Sequence, residues 1–268
     1  MKTLWGFLCA IVSPLIVIPA TAADLGGRAP VMPPAPVYNW SGCYFGGGYG
    51  YGVFDQEHDS FDLTGPIAPT VDTGGRGWFG TVQGGCDVQF GSFLPNFLGG
   101  SFLGGSMVFG AFADGNWGSI KGTNEAAGLG NLVGFGDEKL DQSWAVGARL
   151  GWLPTDRFLT YFSGGYTNAH VEDIHYAPLG GPSLDTLPAH RMGGWFIGSG
   201  FEYQIGWFPG LTWKTEYRFA DYGSRTDTIF FTPTGLPDFQ SNSHLFAQTV
   251  TTQLIWRFNW RGPRLSGY

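Results

Sequence analysis

Charged side chains in this chain occur at alternate positions within apolar stretches. Lys214, Glu216 and Arg218 share one face of such a stretch, and the other face carries Trp213 and Tyr217. Because the side chains of a β-strand point alternately to opposite faces, this stretch needs polar surroundings on one side and apolar surroundings on the other. Other predicted strands add five charged residues to the same polar face: Asp87, Asp114, Arg149, Glu202 and Arg257. Together these groups could form a path for ions or a set of ion pairs that closes an interior.

The width of the enclosed space decides between a conduction path and a plug. If the strands form a ring of eight, as argued below, the interior is just wide enough for side chains to fill it. Opposite charges in so narrow a space pair with one another and form hydrogen bonds. We therefore favour a closed lumen over an open channel and expect any conductance to be small.

Two cysteines, Cys43 and Cys86, lie outside the N-terminal region. If the first predicted hairpin is symmetric about its loop, these two residues face each other across the strands. Thiols in an oxidising compartment can pair. We predict a cross-strand disulfide near the periplasmic rim, on the lipid-facing side by the parity of Phe45 and Val82. The alternative is two unpaired apolar thiols.

His175 and His190 could present imidazole groups to a metal ion. Metal ligands need fixed spacing and supporting hydrogen bonds, which polar loops seldom provide. Solvated loop histidines are therefore the favoured interpretation. No Gly-x-Ser-x-Gly elbow occurs, and the glycine runs do not lie between a strand and a helix. We predict no catalytic residue, metal or cofactor and no enzyme, while a barrel enzyme with Ser and His at its rim stays an alternative.

Eight segments that alternate in polarity can position these side chains. We predict strands at about 40–51, 76–90, 99–117, 141–153, 157–171, 191–207, 211–222 and 250–258. Four polar segments at 54–75, 119–139, 172–190 and 224–245 are expected to be long loops, and they alternate with three short turns. This rhythm is typical of an all-β fold, an eight-stranded antiparallel up-and-down transmembrane β-barrel with both ends on the periplasmic side. The faces of the fifth strand cannot be assigned, because both of its alternating series are mixed.

Composition agrees with a β protein that exposes apolar surface. The chain has 45 glycines, 17% aromatic residues and only 13% charged residues. The many rings argue against disorder, and glycine without a three-residue period excludes collagen. A formal charge of -7 gives no electrostatic case for binding nucleic acid. Past the N-terminal region no apolar run is long enough for a spanning helix, so a membrane form requires a closed barrel.

The chain divides into four predicted parts. Residues 1–23 have a basic start, an apolar run and an Ala-x-Ala site, as in a secretory signal peptide. Residues 24–39 form a Pro-rich periplasmic lead, residues 40–260 the barrel, and residues 261–268 a short C-terminal tail. Tryptophans at predicted strand ends indicate interfacial girdles: Trp40, Trp78, Trp117, Trp207 and Trp256.

Three segments carry a family resemblance. Residues 38–47, 147–151 and 214–223 resemble those of the porin-family outer-membrane barrels of alphaproteobacteria, small surface antigens similar to the membrane domain of OmpA-type proteins. The resemblance covers nearly all of the mature chain. In two places the sequence departs from the pattern: Phe112 stands where a lumen carboxylate is often found, and the chain continues past Phe258 and Trp260.

The resemblance implies residence in the outer membrane of a Gram-negative cell. The implied partners are outer-membrane lipid, periplasmic chaperones, the barrel-assembly machinery, and host or surface ligands at the loops. We predict a structural and surface barrel that supports envelope integrity and surface presentation. The main rival is a narrow diffusion pore, followed by a haem-binding or lipid-binding surface receptor. Because some members of this family resemble haem-binding surface proteins, the resemblance implies a haem contact through His175 or His190 as a minor hypothesis.

Overall fold

The alternation of polar and apolar residues produces long antiparallel strands. A computed structural model describes residues 38–67, 69–90, 106–127, 133–208 and 210–258. The predicted signal peptide, all but the last two residues of the lead, Trp260 and the C-terminal tail lie outside these ranges. The strands are β1 Gly42–Asp62, β2 Gly65–Pro66, β3 Val71–Phe90, β4 Met107–Ala127, β5 Val133–Thr155, β6 Phe158–Val171, β7 Ile174–Tyr176, β8 Asp185–Leu187, β9 His190–Gln204, β10 Leu211–Phe231 and β11 Leu236–Phe258.

No helix among the described residues has both the length and the apolar character needed to cross a membrane.

Eight of the strands close into a ring. Neighbours pair in the order β11, β1, β3, β4, β5, β6, β9 and β10, and β10 pairs back to β11. The first and last strands of the ring are in register from Cys43↔Phe258 to Phe61↔Gln240. Closure gives each of the eight strands a paired neighbour on both sides. The predicted eight-stranded up-and-down barrel is confirmed.

The two faces of the barrel wall differ in polarity, in the opposite sense to a water-soluble protein. Large apolar side chains point outward and are exposed, with Trp78 at 64% and Phe162 at 68%. Polar and charged side chains point inward and are buried. Strand β6, whose faces the sequence left open, buries Leu159 and Tyr161 and turns Phe162 and Tyr166 outward.

Three of the predicted long loops, at 54–75, 119–139 and 224–245, are instead mainly strand. β1 continues to Asp62 and β3 starts at Val71, while β10 and β11 are separated only by residues 232–235. The prediction was wrong because polar and apolar residues do not alternate along these extensions, so the pattern that marks a membrane strand is lost. The backbone ladder continues nevertheless, since pairing depends on neighbours more than on intrinsic propensity.

The fourth predicted loop, residues 172–190, contains a small hairpin. β7 pairs with β8, β8 pairs with β10, and an isolated bridge Phe135↔Ala177 joins the hairpin to β5. The hairpin therefore fills the place in the ring that β6 and β9 leave, because they end at Val171 and begin at His190. An apolar cluster holds it: Ile174, Tyr176, Leu187, Ile229 and Phe239.

Short connections mark the opposite end of the barrel. β5 and β6 are joined by residues 156–157, and β9 and β10 by residues 205–210. The third strand, predicted from residue 99, begins at Met107, and residues 91–105 lie outside the described ranges. This end also holds the start of β1 and the end of β11, so it is the periplasmic end.

Glycines on the inner face make room for charged groups. A Cβ atom at Gly110 would overlap Oδ1 of Asp87, and one at Gly200 would lie 2.5 Å from the hydroxyl of Tyr161. Part of the high glycine content therefore serves the packing of the lumen, which in a ring of eight strands has no spare width.

Candidate functional site: a charge-paired lumen

The eight charged residues predicted for the inner face all lie there, and their ion pairs divide them into two sets. Asp87, Arg149, Glu202 and Arg257 form what we call the periplasmic quartet, and Asp114, Lys214, Glu216 and Arg218 form the central quartet. Seven of the eight are at most 8% exposed, and the side chain of Arg218 is 14% exposed. Each quartet holds two cations and two carboxylates, so each is formally neutral.

The periplasmic quartet is a closed ring of ion pairs. Arg149 donates to Asp87 through Nε at 3.0 Å and Nη2 at 2.5 Å, and to Glu202 through Nη1 at 2.5 Å. Arg257 donates to the same two carboxylates, at 2.5 Å in each case. Each guanidinium thus bridges both acids. Such multidentate pairs are the strong form of the ion pair.

Aromatic rings close the quartet on its open sides. The ring of Tyr44 lies 4.6 Å from the guanidinium of Arg149 and 4.9 Å from that of Arg257. Trp40 lies 4.7 Å from Arg257, and its indole N–H donates to the carbonyl of Asp156 at 3.1 Å. Trp40 is fully buried, so its assignment to an interfacial girdle was wrong, whereas the other four tryptophans of that set are exposed. It acts instead as a stopper at the periplasmic end.

The central quartet continues the pairing upward. Glu216 accepts from Lys214 at 2.8 Å and from Arg218 at 3.0 Å, and Arg218 makes a bidentate contact with Asp114 at 3.2 and 2.9 Å. Tyr161 donates its hydroxyl to Glu216 at 2.9 Å. Each charge in the quartet therefore has a partner of opposite sign within hydrogen-bond distance.

An apolar layer lies above the central quartet. It includes Phe54, Leu140, Tyr222 and Leu245, all buried. The cavity lined by Phe54, Leu140 and Tyr222 has a volume of about 40 Å³, which is space for only a few water molecules. An ion leaving the quartets in this direction would have to pass between these buried apolar side chains, which is costly.

A polar layer that the sequence did not reveal lies above the apolar one. Gln56, His58, Thr73 and Glu138 are buried, with the His58 imidazole 3.6 Å from the Glu138 carboxylate and Thr73 donating to it at 3.1 Å. These residues fell in segments assigned to loops. The parity of Phe54 was the available signal, because Gln56 and His58 continue its even-numbered series along β1.

The predicted disulfide is confirmed. Cys43 and Cys86 are bonded and stand directly opposite each other in the pairing of β1 with β3. Their parity is that of the outward residues Phe45 and Val82, which are 59% and 39% exposed. The bond therefore lies on the lipid-facing side near the periplasmic end.

His175 and His190 have separate partners. His175 is on β7, with one ring nitrogen 3.0 Å from Thr186 and the other 2.7 Å from Asp173. His190 is buried at 7%, and its Nε2 lies 3.8 Å from Asp227. Among the described residues no three His, Cys, Asp or Glu side chains are grouped to hold a metal ion. Neither arrangement favours haem.

The extracellular hairpin carries one carboxyl group with a perturbed pKa. Burial, followed by the nearby negative charge of Asp238, raises the pKa of Asp185 from 3.8 to about 6. Asp185 pairs with Phe231 at the junction of β8 and β10. Protonation of this group is therefore linked to the attachment of the hairpin.

Comparison with known proteins places these features in context. The 31 kDa outer-membrane immunogenic protein of Brucella melitensis is 29% identical over 225 residues, which are 81% of this chain and 87% of that protein. Porin Omp2a of Brucella abortus is 30% identical over 141 residues, 49% of this chain and 37% of the porin. No protein-family model matches the chain.

Among solved structures, the outer membrane protein OprG from Pseudomonas aeruginosa has a similar fold. Its TM-score is 0.50 at 14% sequence identity, with 82% of this chain and 98% of that chain covered. This likeness supports the barrel fold and carries no further functional detail.

Proposed function

We propose that this chain, an alphaproteobacterial outer-membrane β-barrel of the porin and surface-antigen kind, supports envelope integrity and presents its extracellular hairpins while its lumen stays closed to solutes. The outward band of exposed rings fits contact with outer-membrane lipid. The closed lumen is the part of the proposal that separates it from a diffusion pore.

The observation that carries the proposal is the pairing within the two quartets. An ion crossing the lumen would have to part charges that are buried and paired, and an uncompensated buried charge costs about 3–5 kcal/mol. Trp40 below and the apolar layer above add two barriers without charge. The lumen therefore resembles a packed core more than a channel.

Surface presentation is supported by the regular strand pairing in the extracellular extensions. β1 and β11 stay paired out to Phe61↔Gln240, and the β7–β8 hairpin is fixed by its own apolar cluster. Ordered hairpins offer a fixed surface to host or surface ligands, since few side chains must be immobilised on binding. We propose no specific ligand for them.

A narrow diffusion pore is the second candidate, favoured by the similarity to a porin and by the charged lumen. Planar-bilayer conductance of the refolded chain distinguishes the two. We expect no resolved channel steps for the wild type. The double variant Arg149→Ala with Asp87→Ala removes a complementary pair and keeps the charge balance, so it should produce steps.

The matched control for this experiment is Arg225→Ala. Arg225 pairs with Asp227 at 2.8 Å and has a 47% exposed side chain, so its loss should leave conductance unchanged. Wild-type steps as large as those of the double variant would contradict a closed lumen and support the pore.

We also propose that the barrel has no enzymatic activity. His58 and Ser243 stand opposite each other in β1 and β11, but they are only 5% and 2% exposed. A substrate could not reach them without opening the barrel. Hydrolysis of a lipid ester by the refolded wild type, lost in Ser243→Ala, would overturn this part of the proposal.

Delivery by periplasmic chaperones and the barrel-assembly machinery is part of the same proposal. β11 ends the described barrel with the outward residues Leu254, Trp256 and Phe258. If Phe258 is the assembly signal, Phe258→Ala should lower the fraction of folded barrel in outer membranes. An unchanged fraction of folded barrel would mean that Phe258 is not the assembly signal.

A further inference from the structure

Three basic side chains form a row across neighbouring strands on the outer surface. Arg76 on β3 is directly opposite Lys121 on β4, and Lys121 is directly opposite Lys139 on β5. Arg76 and Lys121 are exposed, and the side chain of Lys139 is 26% exposed. We call Arg76, Lys121 and Lys139 the cationic row.

The row lies at the height expected for lipid headgroups. Arg76 follows Trp78 by one outward position toward the extracellular end of β3, and Trp117 is the outward aromatic residue below Lys121. Trp78 and Trp117 are 64% and 53% exposed. Exposed tryptophans mark the boundary between hydrocarbon and headgroups. A charge placed just beyond them therefore meets the polar part of the outer leaflet.

Carboxylates of the protein neutralise only part of the positive charge of the cationic row. Like charges directly opposite each other on paired strands are destabilising. Lys139 is paired with Glu172 at 2.5 Å, whereas neither Arg76 nor Lys121 takes part in an ion pair among the described residues. Asp55 and Asp137 belong to the next outward row, farther from the membrane.

Neighbouring cations repel each other, and this acidic chain has few cations to place. The sequence has a formal charge of -7 and only four lysines, and two of them stand side by side here. An anion between Arg76 and Lys121 would convert their repulsion into two charge-assisted hydrogen bonds.

An apolar surface continues from the row toward the membrane centre. The ring of Trp78 lies 6.1 Å from that of Tyr49 and 5.0 Å from that of Tyr51. Val82 follows on the same outward face, at 39% exposure. A ligand with a phosphate at one end and acyl chains at the other would match both parts, whereas free phosphate would use only the row.

We propose that the cationic row binds a phosphate group of a phosphorylated glycolipid of the outer leaflet, of the lipid A type, whose acyl chains lie against Trp78 and Tyr49. The site is on the outer wall, so it does not depend on whether the lumen conducts. It would fix one lipid at β3 to β5 while the rest of the band contacts lipid without selection.

The test is binding of lipid A to the refolded full chain in detergent micelles, counted by native mass spectrometry. The double variant Arg76→Gln with Lys121→Gln should bind at least about tenfold more weakly than the wild type, because two charge-assisted contacts are lost. Dephosphorylated lipid A should bind the wild type as weakly as intact lipid A binds the double variant. Raised salt should weaken only the phosphate-dependent part.

The matched control is Arg191→Gln. Arg191 is an exposed cation on β9, away from the row, and its side chain donates to Asn168 at 3.5 Å. It should bind lipid A like the wild type, and all variants should keep the electrophoretic shift of a folded barrel. Equal binding by the wild type and the folded double variant would overturn the proposal. Inorganic phosphate displacing lipid A at equal concentration would also overturn it, since the acyl chains would then contribute nothing.

Discussion

The charged side chains of the periplasmic quartet are held by partners that are distant in the chain. Arg257 reaches Asp87 across 170 positions, and Arg149 reaches Glu202 across 53. Strand parity in the sequence predicted that these groups face inward. It could not predict which of them form ion pairs, because that depends on strand register and tilt.

The periplasmic quartet yields a prediction at this scale. Arg149→Met should lower the free energy of unfolding by about 3–5 kcal/mol, because Asp87 and Glu202 would share a single guanidinium. Adding Asp87→Asn should restore part of the lost free energy of unfolding, because Arg257 and Glu202 then remain as one pair of opposite charges. Urea unfolding in lipid vesicles, followed by tryptophan fluorescence, measures the free energy of unfolding of the single and the double variant.

Arg225→Met is the control for that cycle. The Arg225 side chain is 47% exposed, so the loss should stay below about 1 kcal/mol. If Arg149→Met cost no more than this control, the quartet would not be the structural unit described.

Trp40 shows why single residues can mislead. An aromatic residue at the start of a predicted strand fits either a girdle or a stopper, and Trp40 precedes the first ladder pair of β1, so parity does not fix its direction. The contacts with Asp156 and Arg257 that decide the matter are 116 and 217 positions away. Local sequence does not contain them.

At the scale of strands, the membrane-spanning part was predictable and the extracellular part was not. The spanning segments alternate because lipid and lumen impose opposite demands, as in β10 from Leu211 to Tyr222. Beyond the membrane the outer face meets water instead of lipid, and the alternation fades although β1 continues to Asp62. The β7–β8 hairpin depends on contacts with β10 and β5, which no local pattern encodes.

The disulfide between β1 and β3 gives a second prediction. It closes a segment with a sequence separation of 43 residues, so its loss should cost about 2–4 kcal/mol through the greater freedom of the unfolded chain. Unfolding of Cys43→Ala with Cys86→Ala against the wild type measures the cost. Alkylation followed by mass measurement, with and without reductant, establishes the bond first; two freely alkylated thiols in the unreduced protein would contradict it.

The extracellular hairpin gives a pH prediction. The folded pKa of Asp185, about 6, lies above its ordinary value of 3.8, so the folded hairpin binds the proton more tightly than the open one. The attachment of the hairpin should therefore weaken as pH rises from about 4 to about 6 and stay constant above that range.

Hydrogen exchange of residues 174–187 at the two ends of this range measures the effect. Asp185→Asn removes the titrating group, so its exchange should be independent of pH after correction for the intrinsic rate. Protection that increased with pH in the wild type would contradict the assignment.

For the molecule as a whole, the described barrel is a wall that is apolar outside and a stack of layers inside. From the periplasmic end the layers are Trp40, the periplasmic quartet, the central quartet, the apolar layer and the polar layer around Glu138. Alternating neutral charge layers with apolar ones gives a rigid interior without a continuous polar path. Such an interior suits a protein that seals its place in the membrane and displays hairpins outside.

Uptake of a small solute by liposomes that carry the refolded wild-type chain tests this closed interior most directly. We expect swelling in an isotonic amino-acid solution to be as slow as in protein-free liposomes, while the Arg149→Ala and Asp87→Ala double variant swells faster. Swelling of wild-type proteoliposomes at a rate that grows with the amount of folded protein would contradict the account.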